Sequence, residues 1–217
     1  VPLLTDLGGK GLSKRFGSLT VASLREDGTE AMALNSYLAH VGTSEAIEPR
    51  RSLTDLAADF QIGHTGRGTP KFDPDQLKSL NAAVLHGVDY ADAAPRLAAL
   101  GLGQADREFW DAVRPNLNKF GDAALWHRVC FGDIEPVLDD RQFIAAAATL
   151  LPPEPWNDDT WKRWTGAVKD ATGRKGRELF LPLRLALTGF DHGPELKLLL
   201  PLIGHQRAMT RLRGHSH

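Results

Sequence analysis

Apolar side chains recur every three or four residues along most of this chain, with polar residues between them. That spacing places the apolar side chains on one face of an α-helix. In the segment EAMALNSYLAHVG, Thr29 is expected to cap the first turn and Gly42 to end the helix. Alternating runs of Val, Ile and Thr, which are typical of strands, are missing from the sequence. The pattern therefore predicts an all-α fold.

Cap residues and prolines place the individual helices. Ser18 is expected to cap LTVASLRE, Ser52 with Asp55 resembles a capping box ahead of LAADF, and Asp73 followed by Pro74 opens DQLKSLNAAVLHG. Further helices are predicted at residues 90–99, 106–113, 121–130, 141–150, 158–171, 176–188, 194–203 and 205–213.

Two loops divide this series of helices. One is the glycine-rich stretch GHTGRGTPKFDP at 63–74, and the other is the proline-dense stretch LPPEPWND at 151–158. We expect three regions, which cover residues 1–86, 87–151 and 152–217.

Composition narrows the class of protein. The chain has 217 residues, of which 42% are hydrophobic and 24% charged, so a globular protein with a sizeable core is expected. The single cysteine, Cys130, forms no internal disulfide and builds no zinc site alone, so no metal site and a reducing compartment are predicted. The longest apolar runs, AAAATLL and LKLLLPLI, are much shorter than the roughly 20 residues of a membrane span. We therefore expect no membrane partner and a cytoplasmic location.

Charge is distributed unevenly. The net charge of −1 argues against a nucleic-acid partner unless the basic residues are clustered. They are clustered in the last third, where seven basic residues face four acidic ones: Lys162, Arg163, Lys169, Arg174, Lys175, Arg177 and Arg184 against Asp158, Asp159, Asp170 and Glu178. By contrast, FGDIEPVLDDRQF is acidic and would repel phosphate. Four tryptophans could stack on bases, although aromatic residues at helical spacing are more often core residues: Trp126, Trp156, Trp161 and Trp164.

The segment GKGLSKRFGS places Lys10, Lys14 and Arg15 among glycines. A Walker loop starting from Gly8 would need its second glycine at position 13, where the sequence has Ser13, and the dinucleotide fingerprint does not fit either. The residues alone leave two interpretations open, a flexible loop that contacts a polyphosphate and a solvated polar turn.

A wider comparison of motifs favours the first interpretation. LSKR resembles the second signature of class I aminoacyl-tRNA synthetases, usually K-M-S-K-S and often L-S-K-R in the glutamyl branch. LREDGTEAMALNSYLAHVGTS resembles the helix pair that follows this loop, and FDPDQLKSLN resembles the later F-D-x-x-K-L-x-x-L-N segment. LFLPLRLALTGFDHGPELKLLLPLIG resembles the end of glutamyl-tRNA synthetases. Four landmarks in this order, from about residue 12 to residue 204, identify the chain as similar to the carboxy-terminal half of that family.

The resemblance implies a division of roles. The catalytic signature loop and a stem-contact region would occupy 1–86, and two helical anticodon-binding subdomains would occupy 87–151 and 152–217. The implied partners are tRNA(Glu), tRNA(Gln) in a non-discriminating enzyme, and an N-terminal catalytic domain; a monomer is the default expectation. The full-length enzyme would use ATP with Mg²⁺, whereas this fragment is expected to bind no cofactor and to be inactive alone. Glutaminyl enzymes share the loop but have β-barrel anticodon domains, which the all-α prediction disfavours.

The same resemblance assigns the ATP-binding loop to five residues, Gly11, Leu12, Ser13, Lys14 and Arg15. Lys14 is the retained catalytic lysine, whose ammonium would stabilise charge on the phosphoryl oxygens in the transition state. Ser13 would assist by hydrogen bonds and Arg15 by charge. Gly11 stands where the first signature lysine is usual, and Gln76 replaces the usual lysine of the later landmark.

For tRNA binding, the segment AVRPNLNKF resembles the R-x-x-L segment near the anticodon, and TGRKGREL resembles the turn T-G-x-K-G-x-x-L. The candidates are Arg114, Asn116, Lys119, Arg174, Lys175, Arg177 and Arg184. Two alternatives stay open: Arg114 could be a surface arginine or pair with Asp111, and Arg184 could pair with a carboxylate at a packed interface. A non-catalytic tRNA-binding module and a helical protein-interaction domain are the competing functions.

Overall fold

The computed structural model describes residues 3–12, 19–66, 68–157 and 159–215. Within these ranges the chain forms twelve α-helices and three short 3₁₀ helices, and β structure is limited to three isolated bridges. The predicted all-α fold is confirmed. The chain packs as two compact units: Val1–Asp89 with Arg114–Asp122, and Tyr90–Val113 with Ala123–His217.

The first unit is built around helices α2 and α4. Its helices are α1 (Val21–Glu26), α2 (Ala31–His40), α3 (Leu53–Asp59) and α4 (Pro74–His86), with 3₁₀ turns at Ile62–His64, Arg114–Asn116 and Phe120–Asp122. α2 packs against α3 and α4, and α4 also packs against the turn Arg114–Asn116. A segment that lies well beyond α4 in the sequence therefore returns to the first unit.

The core of this unit is small and contains both aliphatic and aromatic side chains. It contains Ala33, Tyr37, Phe72, Leu77 and Leu80, all buried. The rings of Tyr37 and Phe72 meet edge to face at 5.4 Å. The Tyr37 hydroxyl accepts a 2.7 Å hydrogen bond from the backbone N–H of Asp73, the residue that caps α4. This bond links the start of α4 to the middle of α2.

Two predicted helix caps are wrong and two are confirmed. α1 begins at Val21, and the capping box is formed by Thr20 and Ser23 through two 2.9 Å bonds; the predicted cap, Ser18, lies outside the described residues. α2 is preceded by Glu30 rather than Thr29: the carbonyl of Glu30 accepts from the N–H groups of Ala33 and Leu34, and its own N–H is bound by a side chain of α4. The predicted capping residues of α3 and α4 both accept backbone hydrogen bonds as expected.

The second unit contains eight α-helices in its described part. They are α5 (Tyr90–Ala99), α6 (Arg107–Val113), α7 (Ala123–Phe131), α8 (Arg141–Thr149), α9 (Thr160–Thr172), α10 (Arg177–Thr188), α11 (Leu196–Ile203) and α12 (His205–Leu212). Each predicted boundary in this unit lies within two residues of the observed one. The short helix α11 packs against α6, α7, α9 and α12, because almost every residue of LKLLLPLI is apolar.

The proline-dense stretch at 151–158 lies inside the second unit, between α8 and α9. The indole N–H of Trp156 donates to the carbonyl of Pro152 at 2.9 Å. The division of roles among residues 1–86, 87–151 and 152–217 stays a prediction. No helix in the described ranges is long and apolar enough to span a membrane.

Candidate nucleic-acid interface

The predicted phosphate loop is described only at its start. Ser13, Lys14 and Arg15 lie outside the described residues. Ahead of them, the carboxylate of Asp6 accepts a 2.8 Å bond from the backbone N–H of Lys10, and the backbone N–H of Asp6 donates to the Lys10 carbonyl, also at 2.8 Å. Gly9 turns the chain with φ 82°. Gly11 and Leu12 follow on the surface, and both are exposed.

The segment Arg114–Asp122 carries three of the predicted RNA contacts on the first unit. Asn116 is exposed at the end of a 3₁₀ turn, and Lys119 is partly buried. The ammonium of Lys119 lies 2.5 Å from the Asp27 carboxylate. Lys119 could reach an RNA phosphate only by leaving or sharing this partner.

Arg114 is anchored by the protein rather than extended into solvent. Its guanidinium donates through Nη1 to the carbonyl of Val88 at 2.9 Å and lies 3.9 Å from the Asp89 carboxylate. The side chain is 27% exposed. These contacts fix the plane of the guanidinium, a group whose five N–H donors form a rigid fork.

The turn between α9 and α10 separates its three basic residues into two environments. Arg174 packs inward: its guanidinium lies over the ring of Phe143 at 4.4 Å and donates to the Asp140 carboxylate at 2.5 Å. Lys175 and Arg177 are exposed. Of the three basic residues, these two are therefore the more open to solvent.

Asp140 has a structural role that its charge alone did not indicate. Its carboxylate caps α8 by accepting a 3.0 Å bond from the N–H of Phe143, and it pairs with Arg174. The bond from the Phe143 amide, followed by the Arg174 guanidinium, lowers the pKa of this carboxyl. By sequence, Asp140 belongs to a stretch that repels phosphate; in the fold, a local cation offsets its charge.

Arg184 is half-buried beside the segment that follows α10. Its Nη2 donates to the carbonyl of Pro194 at 2.9 Å, while its buried Nη1 has no hydrogen-bond partner in the described part of the chain. Burial lowers the pKa of Arg184, and the nearby Asp191 charge offsets part of that effect. Its hydrogen bond therefore goes to a backbone carbonyl, while the carboxylate of Asp191 acts on it through charge, so the alternative of a carboxylate pair stays open.

The candidate tryptophans differ in burial, and two of them are core residues. Trp126 and Trp164 are buried, and the indole N–H of Trp164 donates to the Ala147 carbonyl at 2.9 Å. Trp161 is partly buried and its ring stacks on that of Phe180 at 6.2 Å, with 30° between the planes. Phe180 itself is 43% exposed. The core interpretation is confirmed for Trp126 and Trp164.

Arg211 is a structural residue that sequence reasoning missed. It is 3% exposed, and its guanidinium donates to the carbonyls of Leu187 at 2.7 Å and Gly132 at 3.0 Å. These carbonyls lie at the C-terminal ends of α10 and α7, where helices leave carbonyls without internal partners. Burial lowers the pKa of Arg211 to about 10. The sequence signal for its burial was its position among the apolar residues of the amphipathic helix α12.

Comparison with known proteins connects these surfaces to a family. Residues 138–215 match the anticodon binding domain family. The chain is 56% identical over 216 residues to "Glutamate--tRNA ligase 1" of Parvibaculum lavamentivorans, covering 98% of this chain and 47% of that protein. It is 54% identical over 217 residues to "Glutamate--tRNA ligase" of Azospirillum brasilense, covering 100% of this chain and 48% of that protein.

A solved structure agrees in fold. The crystal structure of a glutamate tRNA ligase from Elizabethkingia meningosepticum, in complex with its amino acid, superposes with a TM-score of 0.76 at 19% identity, over 98% of this chain and 49% of that one. The chain thus spans about half the length of the relatives it matches. Nearly the whole chain is thus similar to one half of glutamate–tRNA ligases, and that half includes a region that matches the anticodon binding domain family.

Proposed function

We propose that this chain is the tRNA-binding half of a glutamate–tRNA ligase, which as a whole protein activates glutamate and transfers it to tRNA(Glu) in the cytoplasm. The observation that carries the proposal is the similarity of nearly the entire chain to proteins of that name at 50–56% identity, with an anticodon-binding domain at 138–215. The monomeric state expected from the sequence stays a prediction.

The described side chains support different roles for the candidate residues. Lys175 and Arg177 are exposed, so we assign them to phosphate contacts on the RNA backbone. Arg114 and Asn116 lie in the same 3₁₀ turn on the first unit, and we assign both to the edges of unpaired bases. Asn116 is exposed, and Arg114 keeps 27% of its side chain exposed while Val88 and Asp89 hold its guanidinium. Arg174 and Arg184 bind groups of the protein itself, and we assign them to supporting the fold of the second unit.

We further propose that Lys14, with Ser13 and Arg15, contacts nucleotide phosphates in the whole protein. In that protein, Mg²⁺-bound ATP would supply the adenylyl group. The described start of the loop is compatible with this role, because Gly11 and Leu12 are exposed directly after a tight turn. Among the described residues, no heavy atom lies within 4 Å of where a Cβ at Gly11 would stand.

The proposal is tested by measuring the affinity of this chain for a tRNA(Glu) transcript at several salt concentrations. The variant Lys175→Ala/Arg177→Ala is expected to bind about tenfold more weakly at low salt. The slope of log affinity against log salt should become shallower by about 0.7–0.9 for each phosphate that the variant no longer binds. The matched control is Arg141→Ala/Arg213→Ala, which removes the same charge from two exposed arginines of the same unit.

Equal losses of affinity in the two double variants would mean that only net charge matters and would refute the assignment. Base reading is tested by comparing the affinities of the native chain and of Arg114→Ala for the normal transcript and for one with an altered anticodon. The proposal requires that the native chain prefers the normal anticodon and that Arg114→Ala reduces this preference. A tRNA(Gln) transcript in the same assay shows whether this half distinguishes the two tRNAs. If no transcript binds at low salt, the tRNA-binding role of this chain alone is wrong.

A further inference from the structure

The segment Arg114–Asp122 has little regular structure of its own. It consists of two 3₁₀ turns, each of three residues, joined by Leu117, Asn118 and Lys119. Turns this short contribute little stability in isolation, because each hydrogen bond is gained at the cost of ordering several residues. Whatever orientation Asn116 and Lys119 have must therefore come from contacts with the rest of the first unit.

Helix α4 supplies those contacts through two side chains. Asn81, which is 4% exposed, donates through Nδ2 to the carbonyl of Asn118 at 2.7 Å. Further along the same helix, His86 lies with Nε2 3.1 Å from the carbonyl of Leu117. Since a carbonyl only accepts, the bond places the imidazole proton on Nε2. Two consecutive carbonyls of the segment are thus held by one helix.

The amide groups of the same segment are held as well. The carboxylate of Asp122 accepts from the N–H of Asn118 at 3.1 Å and from that of Lys119 at 2.9 Å. Leu117, the residue before Asn118, is fully buried. The backbone at 117–119 is therefore bound on both its donor and its acceptor side.

Asn81 also connects this segment to α2. Its Oδ1 accepts from the backbone N–H of Glu30 at 2.7 Å, and its Nδ2 lies 3.5 Å from the carbonyl of Gly28. A single buried amide therefore joins α4, the start of α2 and the returning segment. An amide can do this because it carries a donor and an acceptor on one planar group.

We propose that Asn81 is a positioning residue for RNA recognition: it fixes the backbone at Asn118 so that Asn116 and Lys119 are held in one orientation toward an RNA ligand. This rests on the proposed function. Asn81 does not contact the RNA itself, because it is buried under the segment that it holds. Preorganisation of this kind raises affinity by removing the cost of ordering the segment during binding.

The substitution that separates the bond accepted by Oδ1 from the bonds donated by Nδ2 is Asn81→Asp. Aspartate has the same shape and keeps an acceptor for the Glu30 amide, but it places an oxygen opposite the Asn118 carbonyl. Asn81→Ala removes all three bonds of the amide and serves as the second variant. The control is Gln76→Glu, the same amide-to-carboxylate change at an exposed position of the same helix.

The first measurement needs no RNA. Hydrogen exchange of the backbone amides, followed by NMR in the full chain, should show Asn118 and Lys119 exchanging about tenfold faster in Asn81→Asp than in the native chain. Amides in the middle of α2 and α4 should keep their protection, and Gln76→Glu should change neither set. Unchanged exchange at Asn118 and Lys119 in Asn81→Asp would overturn the proposal.

The second measurement is affinity for a tRNA(Glu) transcript in a thermodynamic cycle. Asn81→Asp should weaken binding about fivefold in the native background and have no further effect when combined with Arg114→Ala/Asn116→Ala/Lys119→Ala. Equal effects in both backgrounds would show that Asn81 acts elsewhere and would overturn the proposal. If the triple variant alone binds RNA like the native chain, the segment is not an RNA contact, and both this proposal and the base-reading part of the proposed function are wrong. The Lys175→Ala/Arg177→Ala measurement independently shows whether the tRNA-binding role itself stands.

Discussion

Replacing Gly193 by alanine should destabilise the second unit strongly. Gly193 has φ 121°, a backbone conformation that residues with a side chain rarely adopt. A Cβ built at this position would lie against the ring of Trp126, 3.0 Å from Cζ3 and closer still to Cη2 and Cζ2. That ring is 5% exposed and is packed edge to face against Phe190 at 5.7 Å, so it has little room to move.

The expected magnitude has two parts. Forcing a non-glycine residue into this conformation costs about 1–3 kcal/mol, and overpacking a buried ring costs about 1–3 kcal/mol. We therefore expect Gly193→Ala to lower the free energy of unfolding by about 2–6 kcal/mol. Gly103→Ala is the matched control, because Gly103 is exposed in the same unit, has no positive φ and has no atom within 4 Å of the added Cβ.

Tryptophan fluorescence during urea unfolding is the appropriate assay. All five tryptophans lie in the second unit, so the signal reports on that unit alone. Adding Trp126→Phe to Gly193→Ala should recover part of the stability, because the smaller ring relieves the overpacking but not the backbone strain. A destabilisation below about 1 kcal/mol for Gly193→Ala, or one equal to that of Gly103→Ala, would refute the reasoning.

Three further predictions concern the side chains of Trp164, His127 and Cys130 in the second unit. Trp164→Phe removes the indole donor to the Ala147 carbonyl and should lower the free energy of unfolding by about 1–3 kcal/mol, measured by urea unfolding. The affinity for RNA under folding conditions should not change. Weaker RNA binding would show that Trp164 is not simply a core residue. Burial lowers the pKa of His127. At a pH below the ordinary histidine pKa, the unfolded chain therefore binds a proton that the folded chain does not, and the free energy of unfolding should fall with acidification until the lowered pKa is reached. His127→Leu should reduce this dependence of stability on pH, measured as urea midpoints between about pH 7 and pH 5. Burial also raises the pKa of the Cys130 thiol to about 12, so a thiol reagent at about pH 8 should label the native chain far more slowly than the urea-unfolded chain, and equal rates would contradict the buried position.

Local signals in the sequence were sufficient for the helices of this protein. The spacing of apolar residues, Ser52 and Asp73 as caps, and glycines beyond helix ends depend on neighbours within a few residues, so they are visible before folding. Gly173 and Gly189 directly follow α9 and α10 in the left-handed conformation. The failure at Thr29 is informative: the N–H of the following residue is bound by Asn81, 51 positions away, and no local rule includes that partner.

Composition could not separate basic residues that face solvent from those that hold the fold together. Arg174, Lys175 and Arg177 are close together in sequence, yet the first is paired with Asp140, 34 residues earlier, while the other two are exposed. Arginine is usually a surface residue, yet Arg211 is almost completely buried against two helix ends. Burial and pairing depend on which helices meet, and this is decided only when distant segments pack.

The sequence by itself determined the helical class, most helix boundaries and the family landmarks, because helix periodicity, capping and motif order are properties of neighbouring residues. The tertiary structure alone decided that residues 114–122 return to the first unit, that Asn81 holds them there, and that Gly193 faces the ring of Trp126. Each of these depends on atoms that are far apart in the chain and meet only after the helices have packed.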